Sequence, residues 1–410
     1  MDGDRAWLKA EGVPLAKVLR LFEQRGAEVL IDPSLELGRV SGDWENTKVE
    51  RLIAQLASPH SYLLEWKKVR SPLGELYQIS AIRIYSDGNL SAARPLSAKG
   101  RVLDVVEGKD GIKYIRGEIM VGFKEGSTID NLNALLAKIG GTVIEVIDPP
   151  GIYRIKLNEG MSVEKAMEIA NAHDGVDSSE PNLAFPNMGS QSVPMTGTGT
   201  GINLHLQPGE TAVAVFDSGL DPQYANLSFI RGTYNAIDPS GEMSDPTGHG
   251  TLVALVASGA ITPLGAEASE MGVPVLAVRV FDENGYTSAD TIMRAIDYAL
   301  NSDIGVINLS FGTYEDIGFL EDAVNYAAQQ GIEIVVAAGN DGLDKSCNPA
   351  SSPFTDSVGA KNPDGSIADY SNRGDTVTGY EYGTVVFDGR KHHGTSFAGP
   401  YWAYKLASQK

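Results

Sequence analysis

Nearly continuous apolar segments alternate with amphipathic helical patterns through the second half of the chain. The segments "TAVAVFD", "VPVLAVRVF", "IGVINLS" and "IEIVVAA" are short and rich in β-branched residues, and the helical patterns "TSADTIMRAIDYALNS" and "EDIGFLEDAVNYAAQQG" lie among them. Strands that are apolar on both faces must be covered on both, which is typical of a parallel sheet between two layers of helices. We therefore predict a doubly wound, mostly parallel α/β domain over residues 205–410.

The segment before this domain has a different order of elements. Residues 116–187 contain the strand "GEIMVGF", the helix "STIDNLNALLAKIGG", the strands "TVIEVI" and "GIYRIKL", the helix "SVEKAMEIANAHDG" and a last extended stretch. The order β-α-β-β-α-β predicts a ferredoxin-like unit. Residues 188–204 are poor in charge and rich in Gly, Ser, Thr and Pro, which indicates an exposed linker.

The first unit, residues 1–86, contains two helix–strand pairs. The patterns "PLAKVLRLFEQRG" and "TKVERLIAQLAS" have helical apolar spacing, and the strand-like "AEVLID" and "YLLEW" follow them. This predicts a small α+β domain, and the Ser-, Gly- and charge-rich residues 87–115 are predicted to be a linker. The stretches "VPLAKVLRLFEQRGAEVLIDPSL" and "NTKVERLIAQLA" resemble the secretin/TonB short N-terminal domain. That resemblance implies an envelope protein as a candidate partner.

Charge and composition exclude several classes of partner. The formal net charge of −20 argues against nucleic acid and against an anionic membrane surface, because both attract clustered Lys and Arg. No apolar run approaches about 18 residues, so we predict no membrane span. The beginning "MDGDRAWLKAEG" lacks the pattern of a signal peptide, which leaves a cytoplasmic protein or a leader already removed. The single cysteine, Cys347, excludes an internal disulfide.

Four polar residues stand where a strand ends or a helix begins. Asp217 ends "TAVAVFD", His249 lies between two glycines in "TGHGT", Asn340 follows a strand in "VVAAGNDG", and Ser396 lies in "KHHGTSFAGP". Each alone has a structural interpretation: a turn Asp, a structural His, a turn Asn and a helix cap. A nucleophilic serine needs a base, a group that orients the base and an oxyanion site, and these residue types supply all three.

The order and the local sequences of these residues carry a resemblance. "VFDSGLD", "GHGTLVA", "INLSFG", "AAGND" and "HGTSFAGP" follow one another as in the subtilisin-like serine proteases, over residues 200–400. The resemblance implies a peptide-bond hydrolase in which Asp217, His249 and Ser396 form a triad and Asn340 donates to the oxyanion. The middle unit is similar to a subtilase propeptide. This implies a zymogen whose propeptide assists folding, inhibits the catalytic domain and is removed by self-cleavage.

The resemblance also implies the substrate-binding residues. Two short segments would wall the pocket for the side chain before the scissile bond, and a turn in "ENGYT" would pair with extended substrate as an added strand. These residues are Ser310, Phe311 and Gly312, then Ala337, Ala338 and Gly339, and, in the turn, Gly285. Small residues in the walls predict cleavage after large apolar side chains. Self-cleavage is predicted between residues 185 and 201, with Phe185, Met188 and Met195 as candidate pocket residues.

The sequence departs from the family in two places, of which the first, the short C-terminus, supports an alternative. The chain ends 14 positions after Ser396 (410 − 396), and "GAITPLGAEASE" stands where the family has an Asn-rich calcium loop. The alternative is a truncated, catalytically impaired subtilase fold that acts as a protein-binding module. No metal ligand is predicted and no cofactor is expected for the chemistry, while structural calcium stays an open option that the sequence does not support. The likeness of residues 1–86 to envelope domains favours a secreted or periplasmic protein over a cytoplasmic one.

Overall fold

A computed structural model describes most of the chain, which divides into two compact units. The described residues are 5–23, 25, 27–32, 34, 35, 37–72, 74–86, 93–95, 102–108, 110–148, 151–187, 206, 210–239 and 241–409. The first unit contains 1–100, 114–182 and 238–241, and the second contains 101–113, 183–237 and 242–410. The predicted linker 188–204, with Met188 and Met195, lies outside the described residues.

The N-terminal part of the first unit is a small α+β domain, as predicted. Its elements are β1 (Arg5–Pro14), α1 (Leu15–Glu23), β2 (Glu28–Ile31), β3 (Arg39–Lys48), α2 (Val49–Ala57), β4 (Ser61–Ser71), β5 (Gly74–Tyr85) and β6 (Arg94–Pro95). The sheet has the order β4-β5-β2-β6, and β1 pairs separately with β3. The apolar faces of both helices are buried against this sheet because their apolar residues recur at helical spacing, as in Leu15, Val18, Leu19 and Phe22.

The next part has the predicted β-α-β-β-α-β order. After the short β7 (Val105–Glu107) come β8 (Lys113–Phe123), α3 (Ile129–Ile139), β9 (Gly141–Ile147), β10 (Ile152–Leu157), α4 (Val163–Asn171) and β11 (Val176–Pro186). The strands lie in the order β11-β8-β10-β9. Thr128 begins α3 with a reciprocal capping box to Asn131, and Gly140 ends it in the left-handed conformation. The strands β6 and β7 lie inside the segment predicted as a linker.

The second unit contains the predicted parallel α/β domain. Its elements are β12 (Ala212–Asp217), β13 (Ile230–Asn235), α5 (His249–Ala257), β14 (Val275–Arg279), β15 (Tyr286–Ser288), α6 (Ala289–Leu300), β16 (Ile304–Leu309), α7 (Gly318–Gln329), β17 (Glu333–Ala337), β18 (Asp356–Lys361), β19 (Gly379–Tyr382), β20 (Thr384–Phe387), β21 (Arg390–His393) and α8 (Thr395–Ser408). Seven strands form one sheet in the order β13-β14-β12-β16-β17-β18-β19, and every neighbouring pair is parallel.

Helices cover both faces of this sheet. The alternating strand residues Val213 and Val215 share a buried cluster with α5 and α8, whereas α6 and α7 pack on each other and on β12, β16 and β17. Successive residues of a strand point to opposite faces, so the apolar strands are buried on both. The doubly wound prediction is therefore confirmed. Because all strands are parallel, β12, β16 and β17 end at the same edge of the sheet, where Asp217, Ser310 and Ala338 lie.

Candidate active site

Asp217 and His249 form a buried pair at the carboxyl edge of the sheet. Asp217 is the last residue of β12, an inner strand of the sheet, and His249 is the first residue of α5, which packs on that strand. The Nδ1 of His249 lies 2.8 Å from Oδ1 and 3.0 Å from Oδ2 of Asp217, and both side chains are 1% exposed. This contact assigns the Nδ1 proton to the side that faces Asp217 and leaves Nε2 as the basic nitrogen.

A second buried carboxylate, Asp245, holds the beginning of α5. Its Oδ1 accepts the N–H of Gly248 at 2.9 Å, and its Oδ2 accepts the N–H and the hydroxyl of Thr251, each at 2.7 Å. Gly248 has a φ of 73°, which a side chain would disfavour, and this turn aims the next residue, His249, at Asp217. A carboxylate at a helix N-terminus is also stabilised by the helix dipole.

Ser218 joins the two carboxylates. Its N–H donates to Asp217 Oδ1 at 2.7 Å, and its hydroxyl lies 2.7 Å from Asp245 Oδ1 and 3.2 Å from Asp217 Oδ1. The same hydroxyl accepts the N–H of Gly250 at 2.9 Å. The orientation of His249 therefore rests on a continuous hydrogen-bonded network. Neither Asp245 nor Ser218 was predicted from the sequence, because each acts on a backbone turn that only the fold reveals.

The surroundings of His249 raise its pKa. Burial alone would lower the pKa, but the charge and hydrogen bond of Asp217, followed by the charge of Asp245, act in the opposite direction and prevail. The Nε2 atom is buried and has no hydrogen-bond partner among the described residues. A buried basic nitrogen without a partner is costly in a purely structural role, and it is what a general base needs when a hydroxyl or a substrate arrives.

Ser396 lies in the first turn of α8, at the same edge of the sheet. Its hydroxyl donates to the carbonyl oxygen of Ser310 at 3.3 Å instead of bonding to His249. The neighbouring ring of Phe397 lies 5.6 Å from the ring of His249, so Ser396 and the imidazole border one aromatic side chain. The structure records the Asp217–His249 contact, but no hydrogen bond between the Ser396 hydroxyl and His249. In resting enzymes such bonds are commonly long or poorly aligned.

Asn340 lies after β17 and is oriented by the residue before Ser396. Its Oδ1 accepts the N–H of Thr395 at 2.9 Å and the hydroxyl of Thr395 at 3.0 Å. Because both partners are donors, the carbonyl half of the amide is held by Thr395 and the Nδ2 half points elsewhere. The N–H of Ser396 is in the first turn of α8, where no helical carbonyl accepts it. One amide group and one backbone N–H are therefore available near the Ser396 hydroxyl.

The predicted pocket walls follow two adjacent strands. One wall follows β16, the other follows β17, and Leu309 and Val336 are register partners at their ends. A Cβ on Gly312 would collide with the Cys347 sulfur, and Cys347 donates to the carbonyl oxygen of Ala337 at 3.4 Å. The cysteine thus contacts both walls. The residues predicted to form these walls are Ser310, Phe311, Gly312, Ala337, Ala338 and Gly339.

Cys347 has no character of a reactive thiol. It is 1% exposed, and burial raises its pKa to about 12. A thiol with this pKa stays protonated at neutral pH and is a poor nucleophile.

Gly285 lies in the turn before β15, and an extended segment pairs beside it. The end of β11 pairs antiparallel with β15 through Ala184, Phe185 and Pro186. The N–H of Asn187 then donates to the carbonyl oxygen of Gly285 at 2.7 Å. Residues 183–187 belong to the second unit, together with β15. The backbone predicted to pair with extended substrate thus carries an added strand from the chain itself.

Two further properties of the described residues bear on function. No group of three or more His, Cys, Asp or Glu side chains within them is arranged to hold a metal ion. Among the helices in the described part of the chain, none has the length and apolar character needed to cross a membrane.

Comparison with known proteins identifies the family of the chain. The model of the subtilase family matches residues 209–410, and that of the fervidolysin N-terminal prodomain matches residues 100–182. The thermophilic serine proteinase of Bacillus sp. (strain AK1) is 32% identical over 330 residues, which are 72% of this chain and 79% of that protein. Subtilisin E of Bacillus subtilis is 31% identical over 204 residues, which cover 48% of this chain and 51% of the subtilisin. The chain thus spans about half the length of that subtilisin.

Solved structures show the same fold. The crystal structure of fervidolysin from Fervidobacterium pennivorans, a keratinolytic enzyme related to subtilisin, has a TM-score of 0.55 and 20% sequence identity to this chain. The match covers 77% of this chain and 58% of that one. The prodomain match begins at residue 100, inside the predicted linker, and ends ahead of the catalytic domain. The subtilase model matches the second half of the chain, and the Bacillus AK1 proteinase aligns over 79% of its own length. The chain therefore belongs to the subtilase family of serine proteases.

Proposed function

We propose that the chain is an endopeptidase zymogen in which Asp217, His249 and Ser396 hydrolyse peptide bonds of protein substrates. The observation that carries this proposal is the buried Asp217–His249 pair, whose free Nε2 lies beside the helix that begins with Thr395 and Ser396. A structural histidine in such a position would be expected to use both ring nitrogens. The chemistry uses side chains and backbone groups only, so it needs no cofactor.

In the first step Ser396 Oγ attacks the carbonyl carbon of the scissile bond. The hydroxyl leaves the Ser310 carbonyl oxygen and passes its proton to His249 Nε2, which gives it to the leaving amine as the C–N bond breaks. Asp217 keeps the imidazole in the tautomer with the proton on Nδ1 and stabilises the imidazolium. Water then attacks the acyl group on Ser396 with His249 again as base, and the serine is regenerated.

Two donors would stabilise the tetrahedral oxyanion. Asn340 Nδ2 is directed by the two bonds that Thr395 makes with Oδ1, and the Ser396 N–H is a first-turn donor of α8. Donors that are already aimed lower the barrier because they need no reorganisation as charge develops.

Cleavage after large apolar residues is the proposed specificity. Apart from Phe311, the proposed wall residues at the ends of β16 and β17 are small, and the uncharged Cys347 lies against both segments. No charged side chain is among these wall residues, so a Lys, Arg, Asp or Glu side chain would be desolvated there without a partner. A peptide-library profile dominated by charged residues before the scissile bond would contradict this specificity.

Self-processing is proposed C-terminal to Asn187. Residues 184–187 lie along β15 and Gly285 as the acyl half of a substrate would, so the bond to be cut is further along the chain. This disfavours Phe185 as the pocket residue, and Met188 and Met195 stay as candidates. Tethering gives the segment a high effective concentration, so it should be cut before other substrates. Purified wild type should therefore have a new N-terminus after residue 187 by mass spectrometry, whereas Ser396→Ala should stay intact.

A fluorophosphonate probe tests the triad independently of any substrate. It should label wild type at Ser396 and fail to label His249→Ala of equal helical content. Absence of labelling in wild type, together with binding to an unfolded protein without cleavage, would favour the alternative of a non-catalytic binding module. If wild type and Ser396→Ala both stayed intact while the probe still labelled Ser396, the self-processing proposal would be wrong. If both were cut alike, the cut would come from a contaminating protease.

Secretion is the proposed location. A similar protein of Bacillus subtilis, the minor extracellular protease Epr, is 31% identical over 248 residues, which are 60% of this chain and 37% of that one. Envelope-protein binding by residues 1–86 stays a prediction from the sequence alone. A secreted form would be found in the medium of the expressing cell by an antibody to the catalytic domain.

A further inference from the structure

The segment that begins the prodomain match is attached to the second unit. Residues 101–113 belong to that unit, together with β15. The N–H of Leu103 donates to Asp282 Oδ2 at 2.9 Å, and Leu103 is 5% exposed, whereas its neighbour Val102 is 55% exposed. This part of the predicted linker is therefore fixed, by the burial of one apolar side chain and by a hydrogen bond to a buried carboxylate.

Asp282 uses its two carboxylate oxygens in two different ways. Oδ1 accepts the N–H groups of Asn284 at 2.9 Å and Tyr286 at 2.8 Å, which fixes the turn that contains Gly285 and leads into β15. Oδ2 accepts the N–H of Leu103. Because Asp282 is 1% exposed, loss of Leu103 would take from Oδ2 the one donor that the described residues give it. The attachment of Leu103 thus satisfies a buried acceptor beside the substrate-pairing turn.

The other end of the prodomain is attached to the same turn and strand. The prodomain match ends at residue 182, and residues 184–186 then pair antiparallel with β15. The N–H of Asn187 donates to the carbonyl oxygen of Gly285 at 2.7 Å. The turn before β15 is therefore bound by both ends of the prodomain, at Asp282 by one and at Gly285 by the other.

Two linked attachments outlast a single cut. Self-cleavage C-terminal to Asn187 would leave Leu103 and residues 184–187 on one fragment, with both of their contacts in the second unit unbroken. When one contact opens, the other keeps it close, so it closes again at a high effective concentration. Because extended substrate must pair with β15, a fragment that stays on this strand excludes the substrate.

We propose that Leu103 is a second inhibitory anchor, which retains the cleaved N-terminal fragment on β15 and delays activity after the first cut. The inference rests on the proposed function and concerns its regulation. A second cut anywhere between the two attachments would end the delay, since each attachment would then dissociate as a single weak contact. The length of the delay is thus set by a residue that lies outside the catalytic domain.

The test follows the full chain after dilution from denaturant. Mass spectrometry measures the first cut, turnover of an internally quenched peptide measures activity, and gel filtration measures whether the fragment elutes with the catalytic domain. Wild type should have a lag between the first cut and turnover, with the fragment retained. Leu103→Glu should make the first cut at the wild-type rate and shorten the lag by at least about tenfold, which corresponds to the lower end of the burial free energy of one leucine side chain.

Val102→Glu is the matched control, because it introduces the same charge one residue away at an exposed position. Its lag should stay within about twofold of wild type. Leu103→Ala keeps the N–H that Asp282 accepts and should shorten the lag by an intermediate factor, and it replaces Leu103→Glu if that variant does not fold. Once the fragment is gone, all variants should have the same kcat/KM, since their catalytic domains are identical.

Equal lags in wild type and in the Leu103 variants, with the first cut made in each, would overturn the inference and leave the proposed function standing. A wild-type fragment that separates as soon as it is cut would do the same. An equally shortened lag in Val102→Glu would indicate a general charge effect and would also overturn the inference. Absence of both the first cut and turnover in wild type would overturn the proposed function, and this inference with it.

Discussion

The base and the nucleophile of the proposed triad are held in different ways. His249 is fixed by two short contacts with Asp217 and by a helix start that Asp245 binds through three hydrogen bonds. The hydroxyl of Ser396 makes one long bond, to the Ser310 carbonyl oxygen. The difference teaches that the fold alone orients the base, whereas the nucleophile must give up a bond before it attacks. Activity should therefore be sensitive to electrostatic changes on the base side, which is His249 with Asp217 and Asp245. On the serine side, which is Ser396 with Thr395 and Asn340, it should be sensitive to changes of geometry.

The largest effect should come from removing either member of the pair that exchanges the proton. Ser396→Ala and His249→Ala should each lower kcat by roughly 10⁴–10⁶-fold, and the double variant should be no worse than either single one. The reason is that the two groups perform one step, so losing one removes the use of the other. Steady-state turnover of an unstructured protein measures this. Additive losses in the double variant would contradict a shared step.

Asp217→Asn should break the base side in two measurable ways. An amide can present the wrong atom to Nδ1 and favour the wrong tautomer, and kcat should fall by about 10⁴-fold. Asp217 raises the pKa of His249, so its removal should lower that pKa. Because the base works only when neutral, the acid limb of the kcat/KM profile should move to lower pH. An acid limb that stays in place would show that another group raises the pKa.

Asn340→Ala tests the oxyanion donor on the serine side. The loss of the Nδ2 donor should lower kcat by about 10²–10³-fold with little change in KM, a range known from subtilisin itself rather than calculated for this chain. Thr395→Val is a matched comparison, since it removes one of two bonds to Asn340 Oδ1 but leaves the amide. It should cost less than Asn340→Ala. Equal losses would indicate that Thr395 acts on Ser396 directly.

The sequence predicts the parts of the fold whose residues repeat at a fixed period. The buried strands β12, β14, β16 and β17 are mostly apolar, and the helices between them have regular spacing, so the parallel sheet follows from the pattern. The strands β1 and β3 were missed because few of their residues are buried, as the mixed patterns of Arg5–Pro14 and Arg39–Lys48 show. A strand that buries little leaves little periodic signal.

The candidate site divides in the same manner. Asp217, His249, Asn340 and Ser396 could be predicted because each lies in a short stretch of characteristic sequence. The pairing of residues 184–186 with β15 could not, since it joins segments about 100 positions apart, and pairing over such a distance leaves no local pattern. Asp245 is a similar case, because "SDPTGHG" does not indicate that one carboxylate accepts hydrogen bonds from the N–H groups of both Gly248 and Thr251.

The smallest effect should come from Asp245→Asn, which separates orientation from charge on the base side. The charge of Asp245 is one of the causes that raise the pKa of His249, after those of Asp217. Its removal should lower this pKa and move the acid limb of kcat/KM to lower pH by less than Asp217→Asn does. Asparagine can still accept from Gly248 or Thr251, so the plateau at higher pH should stay within about tenfold of wild type.

Asp221→Asn is the control for this last variant. It removes a buried carboxylate that accepts from the Gln223 N–H at 2.9 Å and not from α5. The acid limb of the kcat/KM profile should therefore not move. The pH dependence of fluorophosphonate labelling at Ser396 gives the same limb without a peptide substrate. If Asp245→Asn lowered the plateau and left the limb in place, Asp245 would act by holding Gly248 and α5 in position. A shifted limb with a preserved plateau would instead show that its charge tunes the base.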